Sequence, residues 1–173
     1  MTAFQSFTAG QILTASQVST LQANSPKIAI FQDQKTSGTA GGNATSGSFL
    51  KRTLNTTVVN NITGCSISSD VITLTAGSYL VMANAPFYRV NNCQIRLQNT
   101  TAGTTLILGG SNYTDDGDEV TLNTNLNGLI VLTGSSNLEL QYRVNANFNA
   151  NSLGIATGWG TEVYSNIIIQ QVA

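Results

Sequence analysis

The sequence predicts an all-β protein, an antiparallel sandwich or barrel preceded by one short helix. Apolar and polar residues alternate over residues 94–98 and 138–145, and this period of two is typical of an antiparallel sheet with one wet face. Pairs of turn-forming residues such as Ala76-Gly77 and Gly134-Ser135 separate the runs. Ten short runs with this spacing favour a sandwich or a barrel over other all-β folds.

The predicted strands all follow Pro26. In chain order they are residues 28–35, 49–54, 56–60, 71–75, 78–85, 93–99, 104–108, 126–132, 138–145 and 163–172. The chain shows neither an internal repeat nor a heptad pattern, so the sequence does not predict a propeller, a solenoid or a coiled-coil shaft.

The single predicted helix lies before Pro26. Thr14 and Gln17 have the spacing of a capping box, with Thr14 as the N-cap residue. Leu13 precedes the cap and Val18 is the fourth helical residue, which is the spacing of a hydrophobic staple. Pro26 ends the segment, because the residue before a proline disfavours helical geometry. With two or three turns the helix is shorter than the ~12 residues an isolated helix needs in water, so it requires a partner surface.

Residues 1–26 are therefore interpreted as an anchoring arm, and residues 27–173 as the head domain. The arm has no core of its own in which to bury its apolar side chains. The residues expected to dock on another protein are Phe4, Phe7, Leu13, Val18 and Leu21. The alternative, which the sequence leaves open, is that the arm folds back onto its own domain.

Composition indicates one folded domain without affinity for nucleic acid or membranes. Charged residues make up only 9% of the chain and the net charge is −1, against about 25% charged residues in a typical soluble domain. The chain therefore has no basic field to hold nucleic acid or anionic lipid. No apolar run is long enough to span a membrane, and the N-terminus lacks the features of a secretory signal.

The sequence predicts no catalytic, cofactor or metal site. The chain has no histidine, which excludes Ser-His-Asp and Cys-His arrangements and argues against zinc. Cys65 and Cys93 are interpreted as buried small hydrophobic residues, with a disulfide as the alternative. The acidic run 115–119 is interpreted as a solvated loop, with a calcium site as the alternative. Trp159, between two glycines, is interpreted as an aromatic wedge before the last strand, with a sugar-stacking platform as the alternative.

Several segments, read in order, resemble a known family. They are AIFQD, TSGTAGG, SGSFLKRTLN, ITLTAGSYLVMANAP, CQIRLQN, NLELQYRV and EVYSNIIIQQV. Residues 28–173 resemble the trimeric jelly-roll head shared by complement-type and tumour-necrosis-factor-like proteins, in the version carried by tailed-phage virion proteins. Phe49 stands where many relatives have tryptophan. The arm segment FTAGQILTASQVSTL resembles short N-terminal segments of phage head and tail appendages.

The resemblance implies a ten-strand antiparallel jelly-roll sandwich whose first and last strands are neighbours, a threefold homotrimer, and binding through exposed loops. We expect the trimer to bury strand residues that one thin sandwich cannot bury alone. The interface candidates are Tyr142, Val144, Ile167 and Ile169.

The expected function is that of a non-enzymatic phage virion structural protein. It would be a homotrimeric surface knob that decorates or cements the capsid through its N-terminal arm, contacts other capsid or tail proteins, and reaches the virion after assembly in the host cytoplasm. The alternative is a tail-fibre tip adhesin that binds a host surface glycan or receptor, and a polysaccharide-degrading spike fragment is a more remote one. The missing shaft favours the knob, because a fibre needs length to reach a cell.

Overall fold

The computed structural model describes residues 9–23, 26–117, 119–146 and 150–172, and the side chains of residues 20–23 lie outside this description. Within these ranges the chain forms one helix and twelve strands. They are α1 Ala15–Ala23, β1 Lys27–Lys35, β2 Leu50–Lys51, β3 Thr56–Asn60, β4 Ser66–Ser68, β5 Val71–Leu74, β6 Gly77–Tyr88, β7 Asn91–Asn99, β8 Thr104–Leu108, β9 Asn112–Thr114, β10 Thr121–Leu132, β11 Ser136–Val144 and β12 Glu162–Gln171.

The strands form two antiparallel sheets. Sheet 1 has the order β10-β6-β12-β1-β3, and sheet 2 has the order β4-β5-β11-β7-β8, with β2 beside β11 and β9 beside β7. The first and last strands are neighbours, since β1 pairs with β12 from Lys27 opposite Gln171 to Lys35 opposite Glu162. The predicted fold class, an all-β antiparallel jelly-roll sandwich, is confirmed.

The strand boundaries differ from the prediction at identifiable places. The short strands β4 and β9 were not predicted, and the predicted strand 49–54 shrinks to Leu50–Lys51. Strand β10 begins at Thr121, five residues before the predicted start, in a stretch that contains Asn123 and Asn125, and asparagine is depleted in strands. Strand β6 continues through Pro86 because pairing with β12 ends at Asn84, so beyond that point only β10 lies beside it.

The helix begins with the predicted capping box. The Thr14 backbone N–H donates to Gln17 Oε1 at 2.9 Å, and the Gln17 backbone N–H donates to Thr14 Oγ1 at 3.2 Å. Leu13 and Val18 remain exposed. Phe4 and Phe7 lie outside the described residues, as does the side chain of Leu21. No helix in the described part of the chain is long and apolar enough to cross a membrane.

The core lies between the two sheets, and it contains all four residues expected at a trimer interface. Their exposed fractions are 4% for Tyr142, 1% for Val144 and 0% for both Ile167 and Ile169. The premise that one sandwich cannot bury them is wrong: β11 belongs to sheet 2 and β12 to sheet 1, and the inward sides of both strands contribute to one core. These four side chains have no surface left to offer a neighbouring copy.

The strand register separates the chain's ends from its long loops. Lys27 and Gln171 lie side by side, so the arm enters where the last strand finishes. The described parts of loops 36–49, 115–120 and 145–161 all lie at the opposite end of the sandwich, which we call the loop end. Because β1 has nine residues, the two ends are about 30 Å apart at ~3.3 Å per residue.

Candidate interaction surfaces

The outward side of sheet 1 carries three cross-strand rows without a charged residue. We call these twelve positions the neutral face. From the loop end toward the arm, the rows are Asn125, Asn84, Asn166 and Gln32; then Asn127, Met82, Ile168 and Ile30; then Leu129, Leu80, Gln170 and Ile28.

Of the twelve side chains in the neutral face, six are amides and six are apolar. In its amide row, Gln32 Nε2 donates to Asn166 Oδ1 at 3.1 Å. In its apolar rows, Leu129 is 63% exposed and Met82 is 40% exposed. Amide groups donate and accept hydrogen bonds without net charge. A second copy of the chain would therefore meet no like-charge repulsion here.

The outward side of sheet 2 has the opposite character. Glu139 lies opposite Gln98, Arg96 opposite Gln141 and Arg143 opposite Gln94. Charges that are spread over a sheet face keep that face in water, because burying an unpaired charge is costly. Sheet 1 is therefore the face suited to burial in an assembly.

Glu162 ties two loops together at the loop end. Its carboxylate accepts hydrogen bonds from the backbone N–H groups of Thr157 at 3.0 Å, Gly158 at 2.7 Å and Gly38 at 3.0 Å, and from Thr157 Oγ1 at 3.1 Å. These bonds favour the ionised form and lower the pKa of Glu162 to about 2. One buried carboxylate thus joins loop 36–49 to loop 145–161.

We expect this carboxylate to make the domain's stability sensitive to acid. The pKa of Glu162 is 4.5 in the unfolded chain and about 2 in the folded one. The carboxylate therefore stabilises the fold above pH 4.5, and this stabilisation is lost as the pH drops toward 2. Glu162→Gln should flatten this part of the profile in thermal unfolding measured against pH. The exposed carboxylate variant Glu119→Gln is the control and should follow the wild type. If the thermal stability of Glu162→Gln fell with decreasing pH as steeply as that of the wild type, the Glu162 carboxylate would not be the source of the acid sensitivity.

Trp159 projects from the loop that Glu162 holds. It is 92% exposed, so the interpretation as a packed wedge is wrong. The physical reason is that the backbone N–H groups of Thr157 and Gly158 are hydrogen-bonded to the Glu162 carboxylate. Gly158 also has a φ of +75°, which turns the chain outward before Trp159. Sugar stacking on this ring stays a prediction.

A polar cleft of about 290 Å³ opens near the loop end of sheet 2. We call it the amide cleft. Its lining residues are Gly47, Asn92, Cys93, Gln94, Ser111, Asn112, Arg143, Val144 and Asn145. Arg143 is the only charged side chain among them, and its guanidinium makes no hydrogen bond or ion pair with any residue in the described ranges.

A buried arginine connects the two sheets behind the loops. Arg52 is 1% exposed; its Nε donates to Ser165 Oγ at 2.8 Å, and its Nη2 donates to the Leu153 carbonyl at 3.2 Å. The guanidinium lies 5.6 Å from the Phe87 ring centre and 5.8 Å from that of Tyr142. Burial lowers the pKa of Arg52 to about 10.

Sequence reasoning missed Arg52, although one signal was present. Positions 50, 52 and 54 share one face of an extended segment, so Arg52 is in phase with Leu50 and Leu54. Asp33 is also buried, and burial raises its pKa while Lys35 and Arg52 oppose the rise. The arrangement is structural, since Arg52 is enclosed by core residues.

The remaining sequence candidates are the two cysteines and the acidic run 115–119. Cys65 and Cys93 are buried and form no disulfide, and burial raises the pKa of the Cys65 thiol to about 11. In the acidic run, Asp116 pairs with Arg89 at 3.1 Å, and Asp118 lies outside the described residues. Among the residues that the structure describes, no three Cys, Asp or Glu side chains gather in a way that could hold a metal ion.

A five-stranded and a seven-stranded antiparallel sheet, with the first and last strands adjacent, define the class, a jelly-roll head. Neither a protein-family model nor a curated protein matches the sequence. Among solved structures, murine APRIL at pH 8.0 is similar with a TM-score of 0.55 and 11% identity, over 85% of this chain and 99% of that chain. The globular domain of zebrafish complement 1qA protein is similar with a TM-score of 0.51 and 11% identity, over 86% of this chain and 97% of that chain. At such identities the likeness shows the fold alone, a head of the complement and tumour-necrosis-factor-like type.

Proposed function

We propose that the chain is a homotrimeric head on the surface of a phage particle, anchored by residues 1–26. The observation that carries the proposal is the placement of the arm and the long loops at opposite ends of the sandwich. A head attached at one end leaves the other end free to face the surroundings. The assignment to a phage particle is supported by the resemblance of the arm and head segments to tailed-phage virion proteins.

The neutral face supports a trimer. Subunits around a threefold axis contact each other through two different patches, and a stable obligate interface buries about 2,000 Å² or more. The neutral face spans four strands of sheet 1, lacks charge, and includes exposed or half-buried apolar side chains at Met82, Ile168 and Leu129. The interface therefore uses Ile168, on the side of β12 opposite to Ile167 and Ile169.

The exposed helix supports anchoring by the arm. Its capping box is formed, while Leu13 is 42% exposed and Val18 is 40% exposed. A helix of nine residues is too short to be stable alone, since isolated helices need about 12 or more. A second surface, supplied by another capsid or tail protein, would cover these side chains and stabilise the helix.

Removing residues 1–25 should leave a folded, soluble trimer that no longer joins particles. A finer variant is the pair Leu13→Asp and Val18→Asp, which places two charges in the proposed contact. Ser19→Asp on the same helix is the matched control, because its side chain is exposed and polar. Incorporation is measured by quantitative mass spectrometry of particles produced by the virus that encodes the chain.

Normal incorporation of the truncated protein would refute the anchoring role. An insoluble truncated protein would instead indicate that the arm folds back onto its own domain. Loss of incorporation for both the double variant and Ser19→Asp would show that the helix tolerates no new charge, and would leave the apolar contact unsupported.

A second candidate function is an adhesin at the tip of a tail fibre. The observations that favour it are Trp159, which is 92% exposed, and the amide cleft, both near the end farthest from the arm. Aromatic rings of this kind contribute much of the energy at recognition surfaces. The two functions share the trimer and the anchored arm, and differ in whether the loop end binds a host ligand.

A further inference from the structure

The amide cleft is built from segments that backbone hydrogen bonds hold in place. The Gly47 N–H donates to the Val144 carbonyl at 3.2 Å, and the Asn145 N–H donates to the Asn92 carbonyl at 2.9 Å. Its volume of about 290 Å³ is near the lower end of small-molecule sites, which begin at roughly 300 Å³. The size therefore suits a single small ring better than a long chain.

Two amides in the cleft are oriented by their own hydrogen bonds. Gln94 Nε2 donates to the Gly109 carbonyl at 3.0 Å and to Ser111 Oγ at 3.2 Å. Asn112 Nδ2 donates to Thr124 Oγ1 at 3.2 Å. Because the NH₂ groups are occupied, Gln94 Oε1 and Asn112 Oδ1 remain as acceptors. Acceptor oxygens at the edge of a cleft are suited to the hydroxyl groups of a ligand.

Arg143 supplies a positive charge that no described residue of the protein neutralises. Most other cations of the chain have partners: Arg89 pairs with Asp116, Arg96 stacks on Phe49 at 4.0 Å, and Arg52 is buried. Lys35 and Lys51 donate to backbone carbonyls. Lys27, which has no such contact with the described residues, lies at the arm end. Among the residues that the structure describes, Arg143 is thus an unpaired guanidinium in a cleft whose lining contains no carboxylate.

We propose that the amide cleft binds an acidic saccharide residue, with Arg143 on its carboxylate and the amides of Gln94 and Asn112 on its hydroxyls. Guanidinium groups bind carboxylates through two parallel hydrogen bonds. The acceptor oxygens distinguish this ligand from inorganic phosphate, which offers few donors. The cationic arginine disfavours a metal ion, because hard cations usually bind with at least one carboxylate and the described lining of the cleft has none. The inference stands on the cleft itself and does not depend on where the head is attached.

The test measures binding of methyl glucuronide to the full-length protein by titration calorimetry and ligand-observed NMR. Methyl glucoside has the same hydroxyls without the carboxylate, and inorganic phosphate has the oxyanion without the sugar. We expect the glucuronide to bind, and to bind more tightly than either. Arg143→Gln should weaken glucuronide binding by about tenfold or more, as expected for loss of a charge-assisted hydrogen bond. Lys51→Gln, on the same sheet but outside the cleft, is the matched control and should bind as the wild type does.

A second variant distinguishes recognition of the sugar hydroxyls from the general attraction of anions to Arg143. Gln94→Leu removes one acceptor, so it should weaken glucuronide binding while leaving the weaker phosphate binding unchanged. Thermal unfolding of each variant establishes that the head is still folded. The proposal is overturned if the glucuronide does not bind at its highest soluble concentration, if Arg143→Gln binds it normally, or if phosphate binds as tightly as the sugar.

Discussion

Replacing Ile168 by glutamate should convert the proposed trimer into a monomer. Ile168 lies in the middle of the neutral face, directly between Met82 on β6 and Ile30 on β1. In the assembly a carboxylate at this position would be buried without a partner, and such a charge costs several kcal/mol or shifts to its neutral form. The monomer should still fold, because the neighbouring core positions Ile167 and Ile169 are unchanged. Light scattering after size-exclusion chromatography would then give the mass of one 18.2 kDa chain.

The matched control for this variant is Tyr113→Glu. Tyr113 is 58% exposed on β9, which belongs to sheet 2, so the same charge there should leave the trimer intact. Circular dichroism checks that both variants keep their strand content. A wild-type protein that is monomeric at micromolar concentration would contradict the trimer. A trimeric Ile168→Glu would show that the subunits meet through another surface.

Replacing Arg52 by methionine should lower the free energy of unfolding by about 1–3 kcal/mol, the usual cost of leaving buried hydrogen-bonding groups without a partner. Methionine retains much of the length of the side chain and its contact with the Phe87 and Tyr142 rings. It removes the donors to Ser165 and Leu153. It also removes one of the two cations, Lys35 being the other, whose charge lowers the pKa of the buried Asp33 carboxyl. Denaturant unfolding at fixed protein concentration measures the change.

Lys51→Met is the control for the arginine variant. Lys51 is the preceding residue and is exposed, so its replacement should change the stability by no more than about 0.5 kcal/mol. Adding Asp33→Asn to Arg52→Met should recover part of the loss, because the double variant no longer buries a carboxylate that has lost one of its two nearby cations. Equal losses for Arg52→Met and Lys51→Met would mean that the buried guanidinium contributes no special stability.

Most of the fold could be predicted from the local alternation of apolar and polar residues. This alternation does not always show which side of a strand faces the core. In β11 the alternation of apolar and polar residues identifies the inward side. In β12 the three consecutive isoleucines 167–169 fit either side, and the pairing with β1 and β6 decides that only Ile168 faces outward. Two of the interface candidates, Ile167 and Ile169, therefore lie on the inward side of β12.

The candidate surfaces depend on contacts between distant parts of the chain, which local sequence does not encode. Glu162 binds the backbone of Gly38, which is 124 positions away. The amide cleft combines Gly47 with residues 92–94, 111–112 and 143–145. Each of these segments, taken alone, is an ordinary polar loop or strand end. Only the register of the sheets places them around one cavity.

The exposure of Trp159 has a spectroscopic consequence. It is the only tryptophan in the chain, and with 92% of its surface in water it should already emit as a solvated indole in the native protein. Tryptophan emission will therefore change little when the sandwich denatures, and the buried tyrosines Tyr79 and Tyr142 are the chromophores that follow the core. The same property makes the indole a selective reporter of the loop end, since a blue shift requires something to cover that one ring.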